Sequence, residues 1–351
     1  MSWRKFWMTI LGTTLGISAF LYTAVLVIDP YDTVWFSPPF ARAPVTTNQR
    51  FSFPALARKA KFDSAIIGTS TTRLLRPVDL NPFFGASFVN LSMNSGTAYE
   101  QLQILKVFAR SHPRAKVVIF GVDVIWCEVQ ERYDRFTYRP FPPWMYDENR
   151  WNDLFYLFNL PALEEAGRQL AYLTGLRPLK YGLDGHTNFL PPQSEYDLKR
   201  ARQNIYGSET PGRKEPANPP YQPTAEEGAS WTYATHELFP KSLALLPEET
   251  LKVLMFVPYH RYSQPQPGSF HEARWRECKR RLMDIAARFA NTHVLDFMID
   301  SAITRHDENY WDTLHYSVSV ARQLARLMAR GVRERRGVPD LFDYLGADKR
   351  G

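Results

Sequence analysis

Residues 63–75 read DSAIIGTSTTRLL. Four apolar or small residues, Ala65, Ile66, Ile67 and Gly68, lead into hydroxyls at Thr69, Ser70, Thr71 and Thr72, and Arg73 follows. A short apolar run closed by glycine and polar residues signals a buried strand that ends in a turn. A serine at such a turn is either an ordinary turn hydroxyl or a nucleophile. The choice depends on whether the rest of the chain supplies a base, an orienting acid and donors for an anion.

Outward from this stretch, short apolar runs alternate with helical patterns. Strands are expected at Ser64–Gly68, Ser87–Leu91, Lys116–Val122, Lys252–Val257 and Thr292–Phe297. Several are nearly continuous Val, Ile, Leu and Phe, as parallel strands covered on both faces require. Between them, Ala98–Arg110, His271–Phe289 and Ser317–Arg333 carry apolar residues at three- and four-residue spacing, the mark of amphipathic helices. This alternation predicts an α/β layered fold around a mostly parallel, five-stranded sheet. One connection breaks the rhythm: roughly 120 residues, from about 128 to 250, separate the third and fourth strands, too long for an ordinary loop. It opens with the aromatic segment RFTYRPFPPWMYDENRWNDLFYLF, continues through a helical piece near Leu163–Leu173 and ends in the polar stretch YGSETPGRKEPANPPYQPTAEEG, expected to be a mobile loop. It reads as a large insertion forming a cap. Its Trp144, Tyr146, Trp151 and Tyr156 are either cap core or faces for stacking sugars.

The 351 residues are 44% hydrophobic and 23% charged, which supports a packed core and excludes global disorder. The formal charge of +7 is dispersed over helix-like stretches such as Arg274–Arg281 and Arg330–Arg336, without the aromatic interleaving of a nucleic-acid surface, so no nucleic acid is expected as a partner. At the start, Arg4 and Lys5 precede 23 uncharged residues, 6–28, enough at about 1.5 Å per residue to cross a bilayer core of about 30 Å. The next basic residue is Arg42, so the positive-inside rule places the N-terminus in the cytoplasm and the remainder outside. The apolar run exceeds that of a cleaved signal peptide and meets Asp29-Pro30 rather than an Ala-x-Ala site, which favours an uncleaved signal anchor. The expected organisation is a transmembrane helix (1–28), a connector (29–61), an α/β domain (62–336) with its insertion, and a C-terminal tail (337–351). Cys127 and Cys278 either pair in an oxidising compartment or remain core thiols. No Cys/His spacing resembles a zinc site, and neither metal nor organic cofactor is expected.

In open α/β sheets ligands collect beyond the carboxyl ends of the strands. The segments there are Gly68-Thr69-Ser70, then NLSMNSGT (90–97), GVDVIWCE with Asp123, PYHRYS with His260 and Arg261, and RHDENYWDTLHYS with Asp312 and His315. A carboxylate three residues before a histidine can reach one imidazole nitrogen and leave the other for the serine hydroxyl. His306 is a rival base, without that frame. Arg73, Asn94, His260 and Arg261 are candidates for substrate contact.

The ordered set IIGTS, NLSMNSG, FGVD and DTLH resembles the SGNH (GDSL-like) hydrolase superfamily over roughly residues 62–127 and 250–333. With one N-terminal span, the chain looks like the envelope acyl-transfer proteins of that superfamily, those of alginate O-acetylation and teichoic acid D-alanylation. The resemblance implies a three-layer α/β/α fold of strand order 2-1-3-4-5, Ser70 as nucleophile, His315 as base and Asp312 as its acid. It also implies an oxyanion hole from the Ser70 N–H, an N–H of the second block and the side chain at 123. Three positions depart from the family pattern: Thr69 replaces Asp, Ser92 stands where Gly is usual, with Gly96 as a competing assignment, and Asp123 replaces Asn. An ionised Asp123 would repel an oxyanion where an amide would donate to it. Asp123 is therefore protonated, or it leaves the hole to backbone donors or merely caps the next turn, or the protein is no fast hydrolase. The implied function is a membrane-anchored periplasmic acyltransferase or esterase acting on an envelope or exported glycan. Its acyl donor would come from a multi-pass membrane acyltransferase. The alternative is a non-catalytic, glycan-binding scaffold subunit.

Overall fold

The computed structural model describes residues 2–128, 136–179 and 181–347. The expected start of the insertion at 129–135, including Arg135 of the aromatic segment, and the tail residues 348–351 lie outside the described residues. In chain order the helices begin with α1 (Trp3–Ile28), α2 (Gln49–Ala57), α3 (Pro77–Phe84) and α4 (Ala98–Ser111). Next come α5 (Asn152–Tyr156), α6 (Leu160–Leu173), α7 (Leu198–Tyr206), α8 (Ala225–Ser230) and α9 (Leu238–Leu243). The last are α10 (Phe270–Ala286), α11 (Ala302–Arg305) and α12 (Val318–Glu334). The strands are β1 (Ser64–Ile67), β2 (Phe88–Asn90), β3 (Val117–Val122), β4 (Leu251–Phe256), β5 (Thr292–Asp296) and β6 (Asp343–Ala347). The chain divides into two compact units.

The larger unit, Ala57–Arg139 with Asp184–Gly351, holds the sheet. Its strand order is β2-β1-β3-β4-β5-β6, parallel from β2 to β5. The five expected strands are present within a residue or two of their expected limits. The count of five is corrected to six, because β6, inside the expected tail, pairs antiparallel with β5 across an irregularity at Val294/Leu295. DYLGA is short, has no apolar alternation and contains a glycine, so nothing local marks it as a strand; β5 supplies the edge that orders it. The strands β1, β2, β3 and β5 are buried at every position. Each Val, Ile, Leu or Phe so placed contributes about 1.5–3 kcal/mol. Helix α3 packs on α12, and α4 and α10 pack on α9. Of the polar stretch expected to be a mobile loop, the part before Ala225 is irregular and the end forms α8. Cys127 and Cys278 form a disulfide, 151 residues apart, which resolves the open choice in favour of pairing.

The smaller unit comprises Met1–Leu56 and Pro140–Leu183, so the first half of the insertion joins the N-terminal segment rather than the sheet. Its first helix, α1, is long and apolar enough to cross a membrane. At its end Arg42 Nε donates to Ile28 O (2.9 Å) and Nη2 to Val27 O (3.4 Å), which satisfies carbonyls that have no intrahelical partner and places a cation at the negative end of the helix dipole. Asp29, fully buried in the left-handed region (φ 48°), accepts from Thr33 N and Val34 N at 2.9 and 3.0 Å and turns the chain off the helix. Helix α6 packs along α1.

Candidate active site

The first strand delivers Ser70 through a turn that only small residues permit. A side chain on Gly68 would meet Thr72 Oγ1 at 2.2 Å, and one on Gly121 of β3 would meet Thr72 Cγ2 at 2.1 Å. The buried Thr72 therefore occupies the space that two absent Cβ atoms leave between neighbouring strands. Its hydroxyl donates to Ser92 Oγ (2.9 Å), and Asn90 Nδ2 donates to Thr72 O and Leu75 O (2.9 and 2.8 Å). The 3-10 turn Thr72–Leu74 follows, and Arg73 N closes onto Thr69 O at 3.2 Å. Ser70 is left half-buried at the tip, and among the described hydrogen bonds its N–H has no protein acceptor.

The opposing loop carries His315, the expected base. Asp312 Oδ1 accepts from the N–H groups of Leu314 and His315, both at 2.8 Å, which bends the chain back on itself. Asp312 Oδ2 meets His315 Nδ1 at 2.7 Å, and His315 Nε2 meets Ser70 Oγ at 3.0 Å. The expected Ser70, His315 and Asp312 are thus brought together in one hydrogen-bonded line, within the reach proton transfer needs. Burial pushes the Asp312 carboxyl up, but His315 and the two N–H donors outweigh it and hold the group below the ordinary carboxylate range. An ionised Asp312 fixes the proton on Nδ1 and leaves Nε2 to accept from the serine. The loop is locked by Trp311 N to His315 O (3.0 Å), His260 N to Thr313 O (3.0 Å), and Tyr316 OH to Thr71 O (2.7 Å), the last tying it to the turn that carries Ser70.

The proposed oxyanion donors fare differently. Ser92 N donates to Asn90 Oδ1 and Gly96 N to Met93 O, both at 3.0 Å, so both second-block candidates are spent inside the protein. Asp123 is buried, accepts from Ile125 N at 3.2 Å as the cap of the 3-10 turn Val124–Trp126, and accepts a hydrogen bond from Thr69 Oγ1. Two departures from the family pattern, Thr69 and Asp123, therefore face each other as donor and acceptor. Burial raises the Asp123 carboxyl to about 6, while the Thr69 and Ile125 hydrogen bonds oppose the rise. Thr69, Ser70 and Asp123 line one pocket of about 480 Å³ with Gly96, Tyr259 and Leu314.

Of the substrate candidates, Arg73 is buried, donates to Asn94 Oδ1 and sits over the Phe189 ring at 5.2 Å. Phe189 in turn meets the His315 ring edge-on at 5.2 Å. His260 is fully buried: its Nε2 faces Asp307 Oδ1 at 3.2 Å and its Nδ1 accepts from Tyr262 N at 3.2 Å. That environment makes His260 a structural partner of Asp307 and removes it from contact with substrate. Arg261 lies against Asp300 (3.9 Å) and lines a different pocket, with Lys214 and Trp275. Of the insertion aromatics, Tyr146 is core, its hydroxyl on Arg50 O (2.9 Å), and Trp144 stacks on Tyr156. His306 is exposed beside Glu308. Sequence reasoning missed Phe189, in the unpatterned HTNFLPP, and Tyr316, whose signal was only its place after His315.

Among the described residues no group of three or more His, Cys, Asp or Glu side chains is placed to hold a metal ion. No family model matches the chain, and a search of curated proteins finds no match.

Proposed function

We propose that this protein is a membrane-anchored serine acyltransferase or esterase whose sheet-bearing unit works outside the cytoplasm on a cell-envelope or exported glycan. The observation that carries the reading is the line Ser70 Oγ–His315 Nε2–His315 Nδ1–Asp312 Oδ2, at 3.0 and 2.7 Å. Ser70 Oγ attacks the acyl carbonyl as His315 Nε2 takes its proton. The imidazolium, held by Asp312, returns that proton to the leaving oxygen, and the acyl group stays on Ser70. A glycan hydroxyl or water then attacks with His315 again as base. The Ser70 N–H donates to the oxyanion.

Three further observations support the reading. The parallel order β2-β1-β3-β4-β5 is the one the SGNH resemblance implies, and the helix groups α3/α12 and α4/α9/α10 suit the outer layers of an α/β/α sandwich. The disulfide suits an oxidising compartment. The apolar α1, with Arg4 and Lys5 at one end, suits a single-pass anchor with the active unit in the periplasm. Acyl groups would reach Ser70 from a multi-pass membrane acyltransferase. The buried carboxyl of Asp123 beside Ser70 favours a second reading, a non-catalytic glycan-binding subunit. The test is fluorophosphonate labelling of the full chain in detergent. Labelling of the wild type and not of Ser70→Ala supports the enzyme; a folded wild type that takes no label favours the binding subunit.

A further inference from the structure

The segment 151–160, WNDLFYLFNL, presents an apolar surface to solvent: Trp151 is 69% exposed, Phe155 83%, Phe158 63% and Leu160 67%. Its one charged residue, Asp153, is turned inward, buried and paired with Arg150 at 3.4 Å. A surface of this kind, contiguous and without charge on its outer side, is uncommon on a soluble protein and marks contact with something apolar.

The position of the segment says what that is. Tyr22, inside α1, donates to Leu154 O at 2.7 Å, and its ring meets Phe158 edge-on at 5.1 Å. Tyr22 lies six residues before the end of α1, about 9 Å along the axis at about 1.5 Å per residue. With Arg4 and Lys5 at the headgroups, a hydrocarbon core of about 20 residues runs from near Phe6 to near Val25. Tyr22 then falls inside that core, and a segment that touches it cannot stand clear of the bilayer. The next turns agree: Glu164, Glu165 and Arg168 of α6 lie near Tyr31, beyond the end of α1, where charge is tolerated. Trp151 packs on Trp35 at 4.3 Å, and tryptophan favours the membrane boundary.

We propose that residues 151–160 form an interfacial element that enters the same leaflet in which α1 ends, with Phe155, Phe158 and Leu160 among the acyl chains and Trp151 and Trp35 at the headgroup level. The protein would thus hold the membrane at two points, a span and a dip, and the smaller unit would be fixed at the lipid surface rather than tethered above it. This inference rests on α1 crossing the membrane.

The test uses the full chain in liposomes of phosphatidylcholine and phosphatidylglycerol. A single nitroxide is placed through Phe155→Cys or Phe158→Cys, the two native cysteines being paired. Leu15→Cys reports α1 and the exposed Ser208→Cys reports water. The expected result is collision with dissolved oxygen several-fold above that with a water-soluble nickel chelate at 155 and 158, between the values for Leu15→Cys and Ser208→Cys. If both positions behave as Ser208→Cys does while Leu15→Cys is deep, the dip is wrong and the anchor stands. If both are shielded from oxygen and nickel alike, a second copy covers the segment and the lipid assignment is wrong. If Leu15→Cys itself reports water, the anchor fails and the proposal with it.

Discussion

Two carboxylates meet the segment Thr69-Ser70, Asp312 through His315 and Asp123 through the Thr69 hydroxyl, and their surroundings set them apart. Asp312 is on a partly exposed loop, with two backbone N–H donors and an imidazole around it, and stays ionised below the usual range. Asp123 is buried at the end of β3, with the Thr69 hydroxyl and the Ile125 N–H among its donors, and is pushed up to about 6. The same functional group is a fixed charge in one place and a titrating one in the other because desolvation and donor count compete differently. The first suits a partner for a histidine that would gain charge in the proposed reaction. The second suits a wall whose charge depends on pH.

The largest expected effect tests whether the Asp312 side works as one unit with Ser70. Ser70→Ala or His315→Ala alone should cost on the order of 10⁶ in kcat on a small activated ester, and the double variant little more. Additive losses would show that the two residues do not share a step. Asp312→Asn comes next. It leaves the shape and removes the charge that fixes the tautomer, so kcat should fall about 10⁴-fold with KM nearly unchanged. A loss below tenfold would mean that Asp312 is not the orienting acid.

Asp123→Asn should behave in the opposite sense. An amide replaces a group that repels an oxyanion when ionised, and one such donor is worth about 10²–10³ in rate where it aims at the oxyanion. Ester hydrolysis should therefore hold or rise, most at alkaline pH, where wild-type Asp123 is charged. Stability gives an independent reading. The folded carboxyl titrates above its ordinary 3.8, at about 6, so the folded state holds the proton more tightly than the unfolded. That contribution is complete below pH 4 and is lost as pH rises through 6, a difference of roughly 3 kcal/mol. Asp123→Asn should match the wild type in melting temperature at pH 4 and exceed it at pH 7.5. Equal melting temperatures at both pH values would show that burial does not perturb this carboxyl.

The smallest effect on chemistry should come from the disulfide. Cys127 ends the 3-10 turn that Asp123 caps, so the double variant Cys127→Ser/Cys278→Ser loosens the Asp123 side alone. Stability should drop by about 2–5 kcal/mol, while fluorophosphonate still labels Ser70 at a rate within severalfold of wild type. Loss of labelling in a folded variant would mean that the two sides of the pocket depend on each other.

The parallel strands were legible because each is a short, mostly apolar run closed by polar residues, and a strand buried on both faces carries its signal locally. Helix α4 was legible from its spacing, with Thr97 and Glu100 as its capping box. Helix α3 went unread because Pro82 interrupts its pattern, and β6 because an edge strand of five residues needs no pattern of its own.

What the sequence determined by itself was the inventory: the five parallel strands, the apolar first helix, and the Ser, Asp and His at the ends of strands. Asp312 and His315 sit three residues apart, so their bond is local and readable. Tertiary structure decided everything that joins distant segments. It set His315 against Ser70, 245 residues away, gave Thr69 to Asp123, buried His260 on Asp307, and placed residues 151–160 beside Tyr22. The reason is physical: spacing fixes which groups share an element, whereas burial, pKa and the pairing of donors with acceptors depend on what the fold brings from elsewhere in the chain.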